Sequence, residues 1–216
     1  MGTSTRRTND RVNKILKEKY KSLNDFNINR LISDVLFPKR NNSKIKNDII
    51  NSTCSVSFTN TIKKIISISD NISKNGIGAF GISNFSSLLY QEKIELISSA
   101  ICYDEDPIIK QSIVEILQFK DLESYLADTY QVIKDFLIEY YTEKFEANLF
   151  EELATNVSDF DDEECKMKIS KLVEAQVEMV FTYSIYQQIV MIDNDESKIN
   201  NIFRNIGNFI LKGLKV

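Results

Sequence analysis

Five acidic side chains fill five of six consecutive positions: Asp159, Asp161, Asp162, Glu163 and Glu164. Carboxylates grouped in this way can hold a hard divalent cation or act as paired general acid and base. The order does not fit an EF-hand calcium loop, which needs a glycine at its sixth position and a glutamate at its twelfth. A long helical pattern begins at this point, and acids at a helix start meet the positive end of its dipole. Capping is therefore the simpler assignment, and a metal-dependent enzyme built on residues 159–164 is the alternative.

Gly76, Gly78 and Gly81 spell G-x-G-x-x-G, the pattern that lets backbone and a helix terminus close on a pyrophosphate in a dinucleotide fold. The preceding isoleucines are spaced as in a helix, and no βαβ unit follows. Glu95, at the right distance for a ribose ligand, falls inside a helical pattern instead of at a strand end. A small-residue turn between two helices is the expectation.

Histidine is absent from the chain, which excludes a His-dependent triad, a His general base and His metal ligation. Cys54, Cys102 and Cys165 are odd in number and widely spaced, which suits neither a disulfide framework nor a zinc ribbon and points to a reducing cytoplasm. Cys165 sits among the acids, which raise its pKa and suppress the thiolate. Phe181, Tyr183 and Tyr186, and likewise Tyr140 and Tyr141, read as core or interface aromatics with hydroxyls at the rim. No nucleophile, base and orienting group stand together. The expectation is a binding or substrate protein that is not an enzyme and needs no cofactor.

Only 6 Gly and 2 Pro punctuate 216 residues of 43% hydrophobic and 27% charged composition, too few turn signals for a sandwich or barrel. The expected class is all-α, an irregular helical bundle with a flexible, basic N-terminal arm. Val12, Ile15, Leu16 and Tyr20 make one short helical stripe, and residues 26–36 make a second apolar stretch stopped by Pro38. Residues 37–57, rich in Asn, Ser and Lys, read as linker, so the division is an arm over residues 1–57 and a helical-bundle domain over 58–216.

Ile62, Ile65, Ile66 and Ile72 then mark a helix ending at Asn75-Gly76. Residues 83–102 follow as a helix carrying Leu88, Leu89, Ile94, Leu96 and Ile97. Asp106 at an N-cap and Pro107 at the first helical position open residues 108–119, and Asp121 caps a short helix through Leu122, Tyr125 and Leu126. Ile133, Phe136, Leu137, Tyr140, Tyr141, Phe145 and Leu149 form the stripe of one long amphipathic helix. Ile169, Leu172, Val173, Val177, Val180 and Phe181 form that of a second, broken at residues 193–197. A last helix from about Lys198 carries Ile202, Phe203, Ile206, Phe209, Ile210 and Leu214.

Residues 1–50 carry a net charge of +7 and the remainder −11. The basic stretch lacks the interleaved aromatics of a single-strand binder, so a nucleic-acid adaptor stands behind a solvated helix face or a protein docking surface. No apolar run reaches the ~20 residues of a membrane span, and no signal peptide follows Arg6 and Arg7. The Met-Gly start fails as a myristoylation motif, because Arg6 stands where Ser or Thr is required.

Taken in order, several elements resemble QatB, the helical component without an assigned activity in the Qat bacterial anti-phage defence system. They are the start Met1-Gly2-Thr3-Ser4, the turn from Asn75-Gly76 to Ser83, the helix ending at Cys102 and the break at Asp104-Glu105-Asp106-Pro107. The run Phe136-Leu137-Ile138-Glu139-Tyr140-Tyr141 and a closing helix pair follow. The resemblance covers about the last two-thirds of the chain plus four residues at the front. It departs from the family in the N-terminal stretch, where Asn, Lys and Ser replace a Gly- and Pro-rich segment.

The resemblance implies a QueC-like, ATP-dependent enzyme as partner, with an ATPase and a TatD-like nuclease in the same system. It further implies a tail that engages the partner. Gly2, followed by Thr3, Ser4 and Thr5, offers an unhindered amine of pKa near ~8 to an activated acyl group, and Arg6, Arg7 and Arg11 steer it toward an acidic or nucleotide-loaded entrance.

Overall fold

A computed structural model describes residues 44–76, 85–102, 106–118, 120–156, 161–192 and 195–214. The tail Gly2, Thr3, Ser4, Thr5, Arg6, Arg7 and Arg11 and the two helical stretches expected before Pro38 lie outside the described residues. Within them every regular element is helical: α1 Lys44–Ser52, α2 Val56–Asn75, a 3-10 turn Phe85–Ser87, α3 Tyr90–Ile101, α4 Pro107–Leu117, α5 Leu122–Ala127, α6 Thr129–Asn156, α7 Asp162–Val180, α8 Tyr183–Met191 and α9 Glu196–Gly213. The fold is all-α.

The caps explain most boundaries. Ser55 accepts a hydrogen bond from the Phe58 N–H at 3.1 Å and opens α2. At the other end Gly76 takes φ +68°, a left-handed value that favours glycine, and its N–H returns to the Ile72 carbonyl at 2.8 Å. Asp106 receives the Ile108 and Ile109 N–H groups at 3.0 and 3.4 Å, with Pro107 behind it at the first helical position. Asp121 occupies the N-cap of α5, but its carboxylate accepts from the Ser124 hydroxyl instead of a backbone N–H.

Three expectations are corrected. The linker over residues 37–57 contains α1 and the start of α2, because Ile49 and Ile50 give the Asn- and Lys-rich α1 a pair of side chains to bury. The helix expected from residue 83 begins at Tyr90. The Glu92 carboxylate accepts the Leu89 N–H at 2.8 Å and sets that start, leaving Leu89 exposed at the N-cap and Leu88 half-buried ahead of it. The second long helix ends at Val180, well before residues 193–197. The Phe181 carbonyl accepts the Tyr130 hydroxyl at 2.9 Å, and Thr182 starts α8 by accepting from the Ile185 N–H. No Gly or Pro marks this break.

The chain forms two compact units, each assembled from separated stretches, where the sequence suggested one bundle over residues 58–216. The division falls within α6 and α9. In the unit of Thr53–Tyr140 and Phe181–Phe203, α2 packs against α3 and α5, and α3 against α4. Its centre is Phe58, whose ring lies 4.9 Å from Tyr140, 5.2 Å from Phe203 and 5.5 Å from Phe136, centroid to centroid. The Tyr90 hydroxyl donates to the Leu117 carbonyl at 2.7 Å and accepts the Lys120 N–H at 2.9 Å, tying the start of α3 to the α4–α5 connection.

The other unit holds α1, the second half of α6, α7 and the end of α9. Tyr141, Phe145 and Leu149 of α6, Cys165, Ile169, Val173 and Val177 of α7, and Ile206, Ile210 and Leu211 of α9 are buried. The α6 side chains named by the sequence stripe are all buried, as are Val132, Ile138, Thr142 and Glu143 on the same helix.

Candidate functional site

The acidic run behaves as a helix start where it is described. Asp161 accepts the Glu164 N–H at 2.9 Å through its side chain and the Cys165 N–H at 3.1 Å through its carbonyl, which makes it the cap of α7. Asp162, Glu163 and Glu164 occupy the first turn, and Glu164 pairs with Lys168 at 2.6 Å one turn on. Asp159 lies outside the described residues. Among the described residues no three His, Cys, Asp or Glu side chains are grouped to hold a metal ion.

Of the three glycines in G-x-G-x-x-G, Gly76 closes α2, while Gly78 and Gly81 lie outside the described residues. Glu95 falls on α3, a helix, and not at a strand end. Cys54 and Cys102 are half-buried and Cys165 is buried, all three as free thiols. Burial is the main cause that pushes the Cys165 thiol up to about 12; Asp162 and Glu164 add to it and Lys168 opposes it. The direction expected from the neighbouring acids holds, but desolvation is the larger cause.

The aromatic residues divide in two. Tyr140 and Tyr141 are core side chains. Tyr130, Phe181, Tyr183 and Tyr186 form a cluster in which Tyr130 stacks on Phe181 at 5.5 Å and meets Tyr183 and Tyr186 edge-on at 5.7 Å each. Tyr130, Tyr183 and Tyr186 line a shallow cavity of about 380 Å³ with Asp128 and Thr129. A second polar group is buried nearby in sequence: the Tyr125 hydroxyl donates to Asp135 at 3.0 Å, Gln131 donates to the other oxygen of Asp135 at 2.6 Å, and Lys120 lies 4.9 Å over the Tyr125 ring. Burial first, then the Asp135 charge, holds the Tyr125 phenol far above its ordinary range, so it is a fixed donor and not a proton shuttle.

The feature that residue-by-residue reading passed over is α8. Its nine residues carry no Asp, Glu, Lys or Arg in a chain that is 27% charged. Yet Tyr183, Val190 and Met191 are 58%, 46% and 78% exposed, and Ile189 is its one buried side chain. A charge-free exposed helix was legible in the sequence as the run Tyr183–Met191, masked there by its reading as part of a longer core helix. Ile189 and Val190 also line a cavity of about 660 Å³ together with Ile101, Ile192, Ile199 and the α2 residues Ser57, Asn60, Lys63 and Lys64.

No known protein family, characterised protein or solved structure matches this chain. Among the described residues no helix is long and apolar enough to cross a membrane.

Proposed function

We propose that this chain is a non-catalytic helical partner protein of a bacterial anti-phage defence system, working in the cytoplasm by binding a QueC-like ATP-dependent enzyme. The observation that carries the reading is the order of elements from Gly76 onward. A helix closed by Gly76 is followed by α3, the Asp106-Pro107 start of α4, a short helix, the 28-residue α6 containing Phe136 to Tyr141, and closing helices. This is the order in which the chain resembles QatB. The segment Gly2, Thr3, Ser4 and Thr5 with Arg6, Arg7 and Arg11 is the part that engages the enzyme, its cations drawn to a negatively charged entrance. The ATPase and the TatD-like nuclease are the further partners.

Co-expression with the genes that flank its own tests the reading. Co-elution with a QueC-like protein through affinity and size-exclusion steps, lost on deleting residues 2–11, is the expected result. Two results overturn it. Hydrolase or nucleotidyl activity abolished by Asp161→Asn with Asp162→Asn makes the acidic run a catalytic site. A salt-sensitive mobility shift of nucleic acid, lost when Arg6, Arg7 and Arg11 become Gln, makes the chain a nucleic-acid adaptor.

A further inference from the structure

We propose that the cavity lined by Tyr130, Tyr183, Tyr186 and Asp128 is a binding site for a trimethylammonium cation. The proposal stands on this cavity alone and does not rest on the partner-protein reading. Its walls come from two helix starts within one compact unit. Asp128 is the residue before α6, and Tyr130 lies in the first turn of that helix. Tyr183 and Tyr186, three positions apart at the start of α8, share one face of it.

Ring geometry selects the ligand. The Tyr130 plane meets those of Tyr183 and Tyr186 at 66° and 69°, and the latter two meet at 45°, with centroids 5.5 to 5.7 Å apart. No two of these planes are parallel, so the rings stand as the walls of a corner and not as a stack. Phe181 backs Tyr130 with planes 7° apart, and the Tyr130 hydroxyl is tied to the Phe181 carbonyl, so this wall is fixed before a ligand arrives. Converging aromatic rings attract a quaternary ammonium through the negative charge over their faces. Tyr183 is 58% exposed, which leaves the corner open to solvent.

Charge agrees with shape. Among the described residues that line the cavity, Asp128 alone is charged. Its side chain accepts the Gln131 N–H at 3.1 Å, a neutral donor that leaves the carboxylate charge in place, and it forms no ion pair with a described residue. The starts of α6 and α8 put partial positive charge nearby, about half an elementary charge each, but both are capped, by Asp128 and Thr182. The full carboxylate charge and three rings act against that opposition. A primary ammonium is strongly hydrated and brings three N–H donors that need acceptors, whereas a trimethylammonium group has none and rests its methyl groups on ring faces. At about 380 Å³ the cavity lies near the lower end of the ~300–1,000 Å³ range of ligand pockets, so it takes a head group and not an extended molecule. Free solutes of the choline type and trimethylated lysine side chains both carry that group.

The experiment follows amide NMR shifts of the full chain in ~0.15 M salt, titrated with choline and with its uncharged isostere, in which a tert-butyl group replaces trimethylammonium. A short peptide carrying one trimethyl-lysine, and the same peptide with plain lysine, form the second pair. Choline is expected to give saturable shifts centred on residues 128–131 and 183–186, and to bind about tenfold or more tightly than the isostere. Tyr183→Ala and Asp128→Asn should each weaken it about fivefold or more. Tyr183→Phe, which keeps the ring, and Glu174→Gln, which removes an exposed carboxylate on α7, should leave it unchanged. Asn caps a helix as well as Asp does, so Asp128→Asn changes the charge, spares the fold and keeps the test open should circular dichroism show Tyr183→Ala unfolded. Tighter binding of the trimethyl-lysine peptide than of choline supports the site with a protein side chain as source, and binding no tighter supports it with a free solute. No saturable shift with either trimethylammonium probe, equal binding of the isostere or of the plain-lysine peptide, or binding indifferent to both Tyr183→Ala and Asp128→Asn overturns the proposal.

Discussion

Lys166 places its ammonium 2.6 Å from a carboxylate oxygen of Glu143 and 3.3 Å from one of Glu146, and the Glu143 side chain is only 8% exposed. Burial acts to lower the Lys166 pKa, but the hydrogen bond to Glu143 and the charges of Glu143 and Glu146 outweigh it and raise the pKa. A carboxylate on α6 is thus held inside the helical unit by one cation from α7.

Removing that cation leaves a buried charge without compensation. Lys166→Met is expected to destabilise the protein by about 2–3 kcal/mol, and Glu143→Gln, which keeps an acceptor, by about 1 kcal/mol. Because the folded pKa of Lys166 lies above its unfolded value, its contribution is complete below the unfolded value and is lost only as pH rises through the folded one. The deficit of Lys166→Met, read from urea unfolding curves, should therefore be the same at pH 7 and pH 9. A deficit that disappears at pH 9 would contradict this.

Cys165 gives a pH dependence on the alkaline side. Its thiol is pushed up to about 12 chiefly by burial, while an unfolded thiol ionises near ~8.5. Between these values the folded chain holds a proton that the unfolded chain has lost, so stability falls with rising pH by at most about 1.4 kcal/mol per unit. Cys165→Ala should flatten the decline between pH 9 and 10.5. At pH 8 Ellman's reagent should titrate the half-buried Cys54 and Cys102 in the native protein and reach Cys165 only after denaturation.

The α6 core is a direct test of packing. Leu137 and Val177 are both fully buried. Leu137→Ala should cost about 2–5 kcal/mol, as transfer and cavity terms add, and Val177→Ala less because fewer atoms leave. A melting temperature unchanged by either substitution would place that side chain on a solvent or partner face.

Helix class and most starts were legible because their signals are local. Asp106-Pro107 and Asn75-Gly76 act within one turn, and the α6 stripe is a period that any core must satisfy. The break at Phe181–Thr182 was not legible, since its cause is a hydroxyl from Tyr130, 51 positions earlier, that takes the Phe181 carbonyl. Leu89 misled for the opposite reason: it is apolar at helical spacing, yet a three-residue bond to Glu92 makes it a cap and exposes it. The cavity beside α2 was not legible because Ile101, Ile189 and Ile199 belong to three separate helices, and only the fold brings them to one lining. Of the residues singled out for function, the acidic run resolved into a cap at Asp161, a role its position beside a helical pattern already carried.

Gly76 tests the closing turn of α2. Its φ of +68° is disfavoured for a residue with a Cβ, and a Cβ there would meet a Glu123 carboxylate oxygen at 3.0 Å. The oxygen ends a flexible side chain and can move, so backbone strain decides the cost. Gly76→Ala should destabilise by about 1–2 kcal/mol, and Gly76→Asn by less, because Asn tolerates positive φ. Equal melting temperatures for Gly76→Ala and the parent chain would show that the turn relaxes at no cost.

Tyr130 tests the break that separates α7 from α8. Its ring stacks on Phe181 with planes 7° apart, and its hydroxyl holds the Phe181 carbonyl at 2.9 Å. That carbonyl is thereby removed from helical bonding at the point where Thr182 begins a new helix. Tyr130→Phe keeps the stack and loses only the hydrogen bond, for an expected cost of about 1 kcal/mol. Thr182→Ala removes the weaker cap, at 3.4 Å, for about 0.5–1 kcal/mol. Both groups serve the same break, so the double variant should depart from additivity by about 0.5 kcal/mol or more. Hydrogen exchange should report the same event locally, with faster exchange at Ile185 and Tyr186 in both single variants. Additive costs with unchanged exchange at those two amides would mean that the break is held by Phe181 burial alone.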